Sequence, residues 1–309
     1  MIPQTMKLIR IALLAWAGWM HPAHATLTVL ACEPEWAALT MELAGDAAQV
    51  SSATTAWQDP HHIEAKPSLL AKARRADLLV CSGAELEIGW LPVLIEQSGN
   101  WRIQPGQPGY FEASSQVQLL EIPQRVDRSM GDVHASGNPH LHLDPRNVAK
   151  VAIALTHRLR QIDPAREDHY RQRGQDFLRR WRAAMEQWER QAEPLRGTRW
   201  VVHHNAFVYW EHWLGLNRAG TLEPLPGVAP STKHLVNVLR EHQSKPVGCV
   251  VRAPYHDARP AQWFATRAQV PQVVLPFTVG GSERANDLWG LFQDTLDRLL
   301  QAQCVKGGP

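Results

Sequence analysis

From Asp163 to Glu193 the residues read as one helical stretch, unusually long and heavily charged. Asp163-Pro164 starts it, an acidic cap followed by a proline at the first helical position. Phe177, Trp181, Met185 and Trp188 recur at helical spacing and make one apolar stripe among Arg171, Arg173, Arg179, Arg180, Arg182, Glu186, Glu189 and Arg190. Such a stripe packs on whatever flanks the helix at each end, and that expectation fits it better than a cofactor site. A chain with one long helix at its middle folds as two units hung on that helix.

The flanking regions have their own grammar. Before the helix, Leu27 to Ala31, Val50 to Ala53 and Leu78 to Cys81 read as short strands. Trp36 to Ala44 (stopped at Gly45), Pro67 to Ala76, Glu87 to Gln97 and Asp144 to Ile162 read as helices. Gln104 to Asn138 is rich in Gly, Pro and Ser and reads as a long surface loop. After the helix, Arg199 to His203, Val247 to Arg252 and Val273 to Leu275 are strand-like. Helices are expected from Pro230-Ser231, over Ala261 to Ala268 and over Ala285 to Gln303. Strands alternating with helices imply mostly parallel sheets covered on both faces. The expected fold is α/β, two Rossmann-like lobes joined by one long rigid helix. The divisions are a leader at 1–25, a first lobe at 26–162, the helix at 163–193 and a second lobe at 194–309.

The leader rests on Lys7 and Arg10, an apolar run from Ile11 to Met20 too short to span a bilayer, and Ala23-His24-Ala25 as a cleavage site. Cys32 fits lipid attachment poorly, because Pro22 and His24 break the run before it. An exported protein follows, bound for an oxidising compartment. In that oxidising compartment the four cysteines are expected to pair. Their order alone allows three pairings. A net charge of +2 gives no argument for nucleic acid.

Three histidine-bearing segments share a setting at loop–helix junctions. Asp59-Pro60-His61-His62 precedes Ile63-Glu64, and His140-Leu141-His142-Leu143 runs into Asp144-Pro145. Val201-Val202-His203-His204 leads into Asn205-Ala206-Phe207. The His-Leu-His-Leu alternation suits an extended segment, and Asp144-Pro145 a helix start. Imidazoles so far apart in sequence suggest one metal site assembled by the fold.

These segments carry a resemblance to the metal-binding receptors of bacterial ABC importers for zinc and manganese. The first resembling signature is Asp59-Pro60-His61 with Glu64 and Pro67-Ser68; the second is Ala76-Asp77-Leu78 with Gly83, Glu87 and Trp90-Leu91. The third is Asn138-Pro139-His140 with Leu143-Asp144-Pro145; the fourth is His204-Asn205-Ala206-Phe207 with Tyr209 and Gly215-Leu216. Each is weak alone, but their order and the chain length make the set specific. The resemblance implies a metal between two lobes, with His61, His140 and His204 as ligands. It implies a receptor that is no enzyme, captures Zn2+ as transported cargo and delivers it to the membrane subunit of an ABC permease. A monomer is expected, and delivery of zinc by a periplasmic chaperone stays open. Neighbouring side chains on extended backbone face opposite ways, so His62 and His203 are expected to stay outside the site. His142, His157, His169 and His212 are given no role in it, and His134 at most a weak capture role on the preceding loop. The resemblance also supports pairing Cys249 with Cys304, with Cys32 and Cys81 as the remaining pair.

Two departures from the family pattern matter. Many relatives complete the shell with an aspartate near the C-terminus, where this chain has Pro276 and Phe277. The fourth position then falls to water, Glu283 or Asp287; zinc commonly takes three protein ligands and a water. The loop before the site also lacks a histidine-rich run and holds only His134. Imidazole suits zinc and copper, whereas manganese prefers more oxygen. The alternatives are a receptor for another metal such as manganese, or a secreted zinc hydrolase. The hydrolase needs a general base at the metal water; no His-Glu-x-x-His occurs, and Glu64 is the one obvious candidate.

Overall fold

The computed structural model describes residues 26–127 and 130–304. The expected leader lies outside them. Among the described residues no helix is long and apolar enough to cross a membrane.

The first lobe runs β1 (Leu27–Ala31), α1 (Pro34–Ala44), β2 (Ala48–Ser52), α2 (Pro67–Arg75), β3 (Leu78–Cys81), α3 (Leu91–Ser98) and β4 (Tyr110–Glu112). Its strands form one parallel sheet in the order β2-β1-β3-β4. Two helices follow, α4 (Pro145–Ile162) and the long α5 (Glu167–Gln191). The second lobe runs β5 (Arg199–Val202), α6 (Val208–Leu214), β6 (Asn217–Thr221), α7 (Thr232–Ser244), β7 (Cys249–Arg252), α8 (Ala258–Ala268), β8 (Gln272–Val274) and α9 (Leu288–Gln301). Its sheet is parallel in the order β6-β5-β7-β8, so the two lobes repeat one topology.

Strand alternation sorts the core into three parts. In β1, Val29 and Ala31 face inward and Leu30 faces α2 and α3; in β5, Trp200 and Val202 face inward and Val201 faces α7 and α8. The inward faces do not form separate cores. One apolar cluster runs from Val29 and Trp36 through Phe177, Trp181 and Trp188 of α5 to Trp200 and Val251 in the other sheet. Trp181 sits at its centre with no exposed surface, 5.3 Å from Phe177, 5.2 Å from both Trp188 and Trp289, and 5.5 Å from Phe292, ring to ring. The expected stripe is therefore the keel of both lobes, with Met185 at its partly buried edge. Disulfides Cys32–Cys81 and Cys249–Cys304 close one link in each lobe.

Three local readings are corrected. His140 to Leu143 is not extended: Leu141–Leu143 is a 3-10 turn, and the alternation reflects a segment buried on all sides. The helix read from Glu87 begins at Leu91 instead. Glu87 uses its two carboxyl oxygens to accept from the Ser82 and Gly83 backbone N–H groups, and Ala84 and Glu85 adopt left-handed φ values of 48° and 67°. The loop from Gln104 holds strand β4, too short at three residues to show a pattern but enough to complete the sheet.

Candidate metal centre

Parallel sheets present ligands beyond the carboxyl ends of their strands. His61 lies after β2, His140 between β4 and α4, and His204 immediately after β5. These three buried residues each offer a ligand atom within 4.8 Å of the others. The rings stand 5.6, 5.6 and 5.4 Å apart, and a T-shaped or tilted arrangement aims their edges at a common point. His61 and His140 come from the first lobe and His204 from the second, so the cluster lies between the lobes.

An oxygen fixes the tautomer of each ring. Asp59 Oδ1 accepts from His61 Nδ1 at 2.7 Å, Asn138 Oδ1 from His140 Nδ1 at 2.9 Å, and Glu223 Oε2 from His204 Nδ1 at 2.7 Å. Asn138 presents its oxygen because its amide nitrogen donates to the Asn205 carbonyl at 2.8 Å. With the proton on Nδ1, every Nε2 keeps its lone pair for the centre, the usual arrangement behind metal-binding histidines. His140 Nε2 is buried without a hydrogen-bond partner. Burial, followed by the neighbouring His204 and His61, holds the His140 imidazole far below its usual basicity. It therefore stays neutral, as metal ligation requires. Burial by itself would raise the Asp59 carboxyl, but hydrogen bonds to His61 hold it well below the carboxylate range.

Asp59 and Asn138 show a signal that the sequence carried unread. Each stands two residues before its histidine across a proline, and each also accepts the histidine backbone N–H, at 3.0 and 3.1 Å. Asx-Pro-His is a device that aims a ring. Glu223, nineteen residues beyond His204 in sequence, has no such local mark.

The remaining candidates lie elsewhere. His62 is exposed beside Asp132. His203 faces away from the cluster, stacked at 4.2 Å on His256 and 3.8 Å from Glu223. His203, Glu223 and His256 are themselves close enough to suggest a second metal group. However, the Ala253 N–H donates to His256 Nδ1, leaving that ring's proton on Nε2 and no lone pair there for a metal. Cys32, Cys81 and Glu87 also lie together, but the cysteines are disulfide-bonded and offer no thiolate. His142 is buried and ties the lobes: Nδ1 is 3.1 Å from Glu35, and Nε2 donates to the Phe277 carbonyl at 3.0 Å. His157 is exposed, His169 bonds the Ala44 carbonyl and His212 contacts Arg146.

Asp287 caps α9, accepting from the Gly290 N–H at 2.7 Å, and the exposed Glu283 does not join the cluster. The Phe277 ring packs edge-on against His140 at 5.5 Å, at the place where the sequence reading looks for a fourth ligand. Glu64, the one base considered for hydrolysis, likewise stays outside the cluster. His134 approaches one member, His61, without joining the group of three. Its Nε2 lies 3.3 Å from His61 Nε2, with the rings stacked at 5.3 Å. Burial, then His61 and His204, pushes the His134 imidazole down to about 3.

Two repeated α/β lobes on a shared helical keel, with three buried imidazoles between them, fit a receptor that holds a metal ion. The chain belongs to the family described as zinc-uptake complex component A, periplasmic (ZnuA), whose profile matches residues 29–302. It is 24% identical over 309 residues to the manganese ABC transporter substrate-binding lipoprotein PsaA of Streptococcus anginosus, covering 94% of each chain. It is 25% identical over 211 residues to the high-affinity zinc uptake system protein ZnuA of Yersinia pestis, covering 63% of this chain and 65% of that one. A crystal structure of ZnuA superposes with a TM-score of 0.76 at 18% identity, covering 90% of this chain and 100% of the other. A manganese-bound periplasmic metal-binding protein from Candidatus Liberibacter asiaticus gives 0.73 at 16% identity, covering 90% of this chain and all of that chain. Members of the family bind divalent metal outside the cytoplasm and serve the membrane permease of an ABC importer.

Proposed function

We infer that this receptor captures Zn2+ in the periplasm through His61, His140 and His204 and passes it to its permease. The observation behind this reading is the donor set: three imidazoles turned inward by oxygen partners, with no carboxylate in the group. Nitrogen ligands suit zinc, and the oxygen-preferring manganese named for the streptococcal relatives finds none of its usual ligands in the cluster. The reading divides the chain as 26–162, 163–193 and 194–309. One chain supplies every ligand, so a monomer suffices. The continuous core through α5 keeps the lobes from swinging widely, so capture and release fall to local movements around the cleft.

Calorimetry against Zn2+ and Mn2+, with chelator competition for the tighter ion, tests the reading. One Zn2+ per chain should bind at least a hundredfold tighter than Mn2+, and His61→Ala, His140→Ala or His204→Ala should each weaken zinc by two orders of magnitude or more. Manganese affinity equal to that of zinc, or unchanged zinc affinity in the three variants, would overturn it.

A further inference from the structure

The segment from Gly131 to Gly137 is fastened to both lobes at the cleft mouth. On the first lobe, Glu85 accepts from the Ala135 N–H at 2.5 Å and the Ser136 hydroxyl at 3.3 Å. On the second, the Asp132 N–H donates to the Pro226 carbonyl at 2.9 Å. That second attachment needs two facing glycines. A Cβ on Gly131 (φ +72°) would lie 2.3 Å from the Pro226 carbonyl oxygen, and one on Gly227 (φ +73°) would lie 2.0 Å from Asp132 Oδ2. L side chains rarely adopt either backbone conformation. The docked strap carries His134 to His61 and lines, with His140 and His204, a cavity of about 60 Å³.

The spacing there has a chemical meaning. Zinc–nitrogen bonds of 2.0–2.1 Å at tetrahedral angles set ligand nitrogens roughly 3.3 Å apart. The Nε2 atoms of His61 and His134 are 3.3 Å apart. His61 Nδ1 donates to Asp59, so its Nε2 faces His134 with a lone pair. When His134 carries its proton on Nδ1, two lone pairs meet across that gap, and a cation between them converts repulsion into two bonds. Should the proton sit on Nε2, it moves to Nδ1 through solvent as the metal enters, with no net proton release.

We propose that His134 is the fourth protein ligand, delivered by the Gly131–Gly137 strap, so that the loaded site holds four imidazoles and opens when the strap lifts. This rests on the three-histidine reading above and replaces the water in its fourth position. A four-nitrogen shell sharpens the preference for zinc over manganese, since no oxygen donor remains. The strap also supplies the local movement that the stiff core denies to the lobes.

X-ray absorption at the zinc edge, with chelator competition, tests the proposal on the full mature chain. The loaded protein should show four imidazole nitrogens, and His134→Ala should show three plus one oxygen with affinity lowered at least tenfold. Gly131→Val, which cannot dock the strap, should reproduce the His134→Ala spectrum, and combining the two should add no further loss. Three imidazoles and an oxygen in the unmodified protein, with His134→Ala binding as tightly, would overturn the proposal and leave the three-histidine site standing. Unchanged zinc binding in His140→Ala would instead overturn the site itself.

Discussion

Glu223 offers the sharpest test of how the protein tunes its ligands. Its Oε2 accepts the His204 Nδ1 proton at 2.7 Å with only 12% of the side chain exposed. Asp59 does the same for His61 at the same 2.7 Å, but with 40% exposed. Replacing either by its amide keeps an acceptor oxygen in place and removes the charge. A carboxylate raises the basicity of the ligating ring, and loss of such a partner commonly costs 10–100-fold in metal affinity, about 1.4–2.7 kcal/mol. Water screens the exposed Asp59 more than the buried Glu223, because electrostatic coupling grows as the local dielectric falls. Glu223→Gln is therefore expected near the upper end, about a hundredfold, and Asp59→Asn near the lower end, about tenfold. Glutamine also keeps an oxygen for the Gly227 N–H that Glu223 binds at 3.1 Å, so the turn should hold. Zinc affinity by chelator competition, beside circular dichroism of the metal-free variants, reads the difference. If Asp59→Asn loses more than Glu223→Gln, or Glu223→Gln stays within threefold of the parent, the electrostatic account of ligand tuning fails.

Other outcomes follow from the core and its buried acids. Trp181→Ala removes the ring at the centre of the shared cluster and should cost about 3–5 kcal/mol. Because that cluster spans both sheets, the variant should still melt in one transition, and a calorimetric trace in which one lobe melts first would contradict a common core. Replacing Cys249 and Cys304 by serine opens a link across 55 residues, worth about 4 kcal/mol by loop-closure entropy; unchanged stability under oxidising conditions would refute the link. Glu87 is pushed up to about 7 from an ordinary 4.5, chiefly by burial, beside the similarly raised Glu33. A raised carboxyl stabilises the fold fully below its unfolded value, and this is lost as pH rises through the folded value. The melting temperature of Glu87→Gln relative to the parent should therefore climb between pH 4.5 and about 7, and a gap independent of pH would count against a protonated Glu87.

Much of this protein was legible before any coordinates. Local patterns act over a few residues, and the strong ones survived folding: the α5 stripe, the Asp144-Pro145 and Ser231 helix starts, and the buried runs of β1, β3 and β7. The weak ones were hidden for physical reasons. Strand β4 is three residues long, and β6, with the sequence Asn-Arg-Ala-Gly-Thr, is an edge strand that buries too little to be apolar. His140-Leu141-His142-Leu143 looked extended because burial on every side imitates strand alternation, whereas the backbone turns there.

The same division runs through the site. Sequence alone determined which segments bring imidazoles to loop–helix junctions, and its Asx-Pro-His signatures already held the oxygens that aim His61 and His140. Tertiary structure decided the rest. It set His204 against Glu223, turned Phe277 onto His140, and drew His134 to His61 from a loop with little pattern of its own. Those contacts join residues 19 to 137 positions apart, counted from 204 to 223 and from 140 to 277. Their geometry comes from two parallel sheets held at a fixed distance by one helix, and no local run of residues encodes that distance.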